Sequence, residues 1–173
     1  MAIEGRFNLE EKKEISTGIL NTIIAMYQLA LSKTLGSGSA ALTQLILRDA
    51  TELADEMLKE ASIELGDVED IASDIPKFFK LIGISDKVEV EVPKDKTATG
   101  SVYIIRVYDS LFKPVALLLN KKGVKYTLSP EAFLAAYIVR KALRKINPKA
   151  NVRISVEPLK SPDEPLVIKV IIR

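Results

Sequence analysis

Near Gly83 the apolar period of the chain changes from about 3.6 residues to 2. This change limits the possible folds more than any other feature, because helices precede it and strands follow it. Residues 17–35, TGILNTIIAMYQLALSKTL, space Leu20, Ile23, Ile24, Tyr27, Leu31 and Leu35 by three and four, which predicts a helix. Its reverse side carries Thr17, Asn21, Gln28 and Ser32. A second stripe, from Leu42, Leu45 and Ile46 through Leu53, Ala54 and Met57 to Leu58 and Ala61, predicts another helix starting after Ser39. Arg48–Glu52 and Asp55–Lys59 would be i,i+4 pairs on its polar face, with Asp49 beside them. A third helix is expected from Asp67, with Val68, Ile71, Ala72 and Ile75 inward, a disturbance at Pro76 and a stop at Gly83.

Between the first two helices stands GSGSAA, residues 36–41. Glycines at such a spacing cradle a pyrophosphate only inside a strand–turn–helix unit. A helix precedes these, so the segment reads as a helix–helix turn, with Gly36 left-handed and Ser37 or Ser39 capping the next helix.

After Gly83, KVEVEVP alternates Val88, Val90 and Val92 with Glu89 and Glu91, a half-buried strand. SVYIIRVY is apolar enough for a central strand. Residues 114–120 fit a helix or a covered strand equally well. Ser129 as N-cap, Pro130 at N1 and Glu131 near the dipole's positive end open a helix that closes at Asn147-Pro148. NVRISVEP and PLVIKVIIR form the last strands, joined through LKSPDEP. The expected class is α+β: an N-terminal helical hairpin and further helices packed on an antiparallel sheet of about four strands. A chain of 173 residues predicts one domain, with residues 1–14 as a flexible arm.

The chain has no Cys and no His. Structural zinc, His- or Cys-ligated haem, iron–sulfur clusters and Ser-His-Asp chemistry therefore lack their ligands or bases. No metal or cofactor is expected, and no catalytic residue is assigned. The absence of cysteine fits a cytoplasmic protein, and the Lys/Glu richness fits a thermophilic one. Residues 1–85 hold 8 Lys and Arg against 14 Asp and Glu, whereas residues 86–173 hold 17 against 9. The two halves are expected to segregate, giving a basic face of Lys121, Lys122, Arg140, Arg144 and Lys145. A membrane surface or an acidic partner would suit that face. Nucleic acid is disfavoured, because the bases do not interleave with aromatics.

Three stretches carry a family resemblance. They are residues 17–60, DKVEVEVPKDKTATGSVYIIRVYDSLF, and LSPEAFLAAYIVRKALRKINPKANVRISVEP. Together they resemble the vinyl-4-reductase-like, or hydrocarbon-binding, domain. They are similar too to the subunit fold of the TRAPP tethering complex, in the NO-signalling and Golgi-transport ligand-binding group. Such domains often carry cysteines where this chain has Leu128-Ser129-Pro130 and Ser161-Pro162-Asp163, so their metal role does not carry over. The resemblance implies a non-enzymatic protein that binds an apolar small molecule or acts as a scaffold, as a homodimer. A TRAPP-like tethering or adaptor subunit is the alternative, and a Lys/Tyr-dependent enzyme on an apolar substrate is the third. The expected dimer contact is Ile23, Ile24, Tyr27 and Leu31. The expected ligand pocket is Phe133, Ala136 and Tyr137, covered by Val102 and Ile104 and closed by Leu117. Tyr103, Tyr108 and Tyr126 are further hydroxyl candidates, and Ala132, Ala135, Ala136 and Ala142 leave room either for a ligand or for close packing.

Overall fold

A computed structural model describes residues 9–38, 41–42, 45–46, 54–56, 58–60 and 62–173, with the side chains of 9–16 and of Ser37 left aside. Helix α1 runs Leu9–Leu35, ahead of the expected start, so the second part of the expected arm is helical. Gly36, at φ +49°, ends it as the glycine spacing predicted, and a 3-10 turn follows over Gly36–Gly38. The described residues between 41 and 60 are helical, with Ala54 and Leu58 buried. Arg48, Asp49 and Glu52 lie outside the described residues.

Helix α2 spans Ile71–Leu81 and buries Ile71, Ile75, Phe78 and Phe79. It starts at Asp70, not at Asp67. Pro76 sits inside it without ending it. The carbonyl that loses its donor belongs to Ala72, which is exposed, so water can serve it. Strands β1 (Val88–Glu91) and β2 (Val102–Val107) follow. Residues 113–121 are helical (α3, Lys113–Lys121), with Pro114 in the first turn, which resolves the open reading there. Helix α4 is Pro130–Ile146, capped by Ser129 Oγ, which accepts from the Ala132 N–H. Strands β3 (Val152–Val156) and β4 (Leu166–Ile172) end the chain.

The sheet is antiparallel throughout, in the order β1-β2-β4-β3. One face is covered: Tyr103, Ile105 and Val107 of β2 and Leu166, Ile168, Val170 and Ile172 of β4 are buried. Helix α4 packs on β3, β4 and α2, while α2 packs on β1 and α1 on α3. The other face carries Val102, Ile104, Arg106, Val167, Lys169 and Ile171, all half-exposed.

Candidate functional site: an apolar helix face turned outward

The sequence reading sets the apolar stripe of α1 at an exposed contact, and the structure turns that stripe outward. Asn21, Ala25 and Gln28, spaced by four and three, are its buried residues. Asn21 Nδ2 donates to the Leu111 carbonyl (3.0 Å). Gln28 Nε2 donates to the Leu128 carbonyl (3.0 Å), and its Oε1 accepts the Leu128 N–H (3.3 Å). Beside α3, the surface under α1 includes loop backbone at Leu111 and Leu128, whose polar groups need partners when buried. An apolar side chain there would leave them unpaired at about 1–3 kcal/mol each. The amides therefore win the inner face. Ile19, Leu20, Ile23, Met26 and Tyr27 are left outside, with Met26 63% and Tyr27 69% exposed.

The two loops that receive α1 are fixed from behind by a buried carboxylate. Glu131 is completely buried at the N-terminal turn of α4. Ser129 Oγ donates to its Oε2 (2.6 Å), Tyr126 donates to the same oxygen (3.1 Å), and Ser110 Oγ donates to Oε1. Burial, and then the Glu131 charge, push the Tyr126 phenol far above its ordinary value. Ser110 adjoins Leu111 and Ser129 adjoins Leu128, so the backbone that holds α1 belongs to the hydroxyl cage.

Of the expected dimer residues, Ile23 and Tyr27 are exposed and Ile24 and Leu31 are half-buried, so the four lie along one side of this outward face. The expected pocket does not assemble. Ala136 and Tyr137 are closed in the core, Phe133 and Leu117 are half-buried, and Val102 and Ile104 lie on the uncovered face of the sheet. The cause is strand parity. Tyr103 turns inward because its ring is buried and its hydroxyl reaches the Lys96 carbonyl (2.8 Å), and its even-numbered neighbours must then face out. Ala132, Ala135, Ala136 and Ala142 are all buried in the core. Nor are the tyrosine hydroxyls available. Tyr103, Tyr108, Tyr126 and Tyr137 donate to Lys96, Glu89, Glu131 and Asp55 respectively.

The expected basic face divides. Lys145 Nζ donates to the carbonyls of Leu65 and Gly66 and to Asp67. Arg144 Nε donates to the Ala150 carbonyl, and Arg140 is half-buried. Lys121 and Lys122 stay exposed at the far end of α3. The charged halves do not segregate, since Lys141–Asp55, Lys145–Asp67 and Lys96–Glu69 all join them. At Asp55 burial acts to raise the carboxyl, but hydrogen bonds from Lys141 and Tyr137 prevail and hold it below its ordinary value. Burial likewise opposes the Lys141 charge, and the same contacts reverse it and raise the amine. Burial and the Asp55 carboxylate push the Tyr137 phenol up to about 12.

Two open grooves flank the Gly123–Lys125 segment. One, of about 350 Å³, lies between α1 and residues 123–128, with Leu31, Leu42, Val124 and Leu128 among its walls. The other, of about 500 Å³, lies between the end of α3 and residues 155–159. No group of acidic side chains that could hold a metal ion occurs among the described residues, and no helix among them is long and apolar enough to cross a membrane.

An uncharacterized protein of Methanocaldococcus jannaschii, MJ0312, is 36% identical over 149 residues, an alignment spanning 80% of this chain and 70% of that protein. This chain belongs to its family. No family model matches the chain. Among solved structures it is similar to the crystal structure of a trafficking protein particle complex subunit 3 from Naegleria fowleri covalently bound to palmitic acid. That match has a TM-score of 0.47 and 18% identity, and covers 90% of this chain and 96% of the other.

The roles of three residues escaped the sequence reading. Glu131 was placed at the helix dipole, where an exposed acid is common, and its burial depends on hydroxyls distant in sequence. Asn21 and Gln28 left a signal: two amides seven apart, on one face of a helix with no charge between Glu14 and Lys33.

Proposed function

We propose that this chain is a non-enzymatic scaffold or adaptor that works as a homodimer, with the outward face of α1 as the contact. The observation that carries this reading is the inverted helix: its polar side is spent on the body and its apolar side is in water. A contiguous apolar patch of several hundred Å² is characteristic of an interface. The exposed apolar residues run from Ile19 to Leu35, about 25 Å of helix. A membrane-surface helix carries Lys and Arg opposite its apolar side. The side opposite here is uncharged and turned inward, which favours a second copy of the same face.

Light scattering tests this. The wild type is expected to be a dimer at micromolar concentration. The double variant Ile23→Glu/Tyr27→Glu is expected to be a monomer with an unchanged circular dichroism spectrum, since both residues are exposed. A wild-type monomer at and above micromolar concentration overturns the reading.

A second reading, uptake of a small apolar molecule of the hydrocarbon-binding kind, is supported by the 350 Å³ groove beside α1. Lipid extraction with native mass spectrometry checks it; protein that releases nothing and takes up no hydrophobic probe removes it. Lys/Tyr catalysis is disfavoured by the direction of the shifts. A general base or nucleophile needs a lowered amine or phenol, and Lys141 and Tyr137 both move upward.

A further inference from the structure

Strand β3 is an edge of the sheet, paired only with β4. Its register determines which backbone groups lack a partner. The Arg173 N–H donates to the Asn151 carbonyl and the Glu157 N–H to the Val167 carbonyl. In an antiparallel pair hydrogen-bonded positions alternate, so 151, 153, 155 and 157 bond to β4 while 152, 154 and 156 point away from it. The Val152 N–H is taken by the Asn151 side chain. The N–H and C=O groups of Ile154 and Val156 remain open.

The 500 Å³ groove runs beside the end of this edge, with Val156, Pro158 and Leu159 on one wall and Ala116, Val124 and Lys125 opposite. The charge around it is mainly positive, with Glu157 the one acid in its lining. Lys121, Lys122 and Lys125 are exposed, and no ion pair or hydrogen bond among the described residues engages their ammonium groups. Arg153 stands exposed on β3 itself. The nearest acid, Glu157, is already paired with Lys169 (2.6 Å).

From these juxtaposed features we infer that β3 and the adjoining groove take up an extended acidic segment of a partner protein, which adds to the sheet as a fifth strand. Main-chain bonds to Ile154 and Val156 supply affinity, and alternate side chains supply specificity. One side of the added strand places apolar groups over Val156, Ala116 and Leu159. The other places a carboxylate beside Arg153, and an acidic residue at the end of the segment meets Lys125 on the groove wall. The inference is independent of the α1 contact, which lies on another element.

The test uses the full chain and a fluorescent, end-capped peptide of alternating Glu and Val. Anisotropy is expected to show saturable binding. Arg153→Glu/Lys125→Glu, both exposed positions, should weaken it by roughly tenfold or more, equivalent to about 1.4 kcal/mol, and should let an alternating Lys and Val peptide bind instead. Val156→Pro removes one edge donor at a place where proline is tolerated and should abolish binding even at low salt. If that variant does not fold, hydrogen exchange of the wild type decides: the Ile154 and Val156 amides should slow on adding peptide. No saturable binding overturns the proposal. So does binding that leaves those two amides exchanging at their original rate, because the contact would then be charge attraction alone.

Discussion

At the scale of single residues, Glu131 and Asp55 contrast two uses of a carboxylate. Glu131 is fully buried, and its partners are neutral hydroxyls. Glu131→Gln keeps the volume but sets an amide N–H₂ against hydroxyls that donate. A loss of roughly 1.5–3 kcal/mol in urea unfolding is expected, the range for hydrogen bonds to a charged group. An unchanged midpoint would show that the cage relaxes without cost. Asp55 instead lies half-exposed in an ion pair, where solvent screening keeps its worth small. The direction of its pH dependence is nonetheless set. A lowered carboxyl stabilises above its unfolded value, and that contribution is lost as pH falls through the folded one. A raised amine stabilises below its unfolded value, and its contribution is lost as pH rises through the folded one. The clasp therefore operates between the acid range below 3.8 and the alkaline range above 10.5. In Asp55→Asn, NMR titration should find the Lys141 midpoint moved down, because burial then acts without its opponent.

At the scale of elements, type was far more legible than orientation. The periods of α2, α4 and the four strands were plain in the sequence, as were the Ser129 cap and the Gly36 stop. Facing is decided by what lies beneath an element, and sequence spacing does not contain that. On α1 the substrate is loop carbonyls, so amides turn in. On β2 the parity is set by Tyr103, whose distant hydroxyl partner lets a polar-tipped ring take the core position. The same ambiguity defeated the proposed ligand slot on α4, where small residues can mean space or tight packing. Ala136 is 2% exposed, so Ala136→Phe is expected to destabilise by about 1–3 kcal/mol through overpacking. Thermal unfolding checks this, and a fully stable variant would reveal an unfilled cavity after all.

At the scale of the whole molecule, the opposite charges of the two halves act as stitching. Lysines of the second half close on acids of the first at Asp55, Asp67 and Glu69. Lys121, Lys122 and Lys125 at the end of α3 and Arg153 on the β3 edge stay exposed outside these pairs. The molecule thus offers two surfaces of different chemistry, one apolar and one cationic beside an open strand. Gln28 holds both polar groups of Leu128, and Asn21 holds Leu111 two turns away. Two anchors at separate heights prevent α1 from rolling about its axis as well as from sliding. The outward face is thereby determined before any partner arrives. Association in the proposed dimer would then be rigid-body contact with little ordering of the backbone, so its rate should follow the frequency of correctly oriented encounters and not the rate of a refolding step.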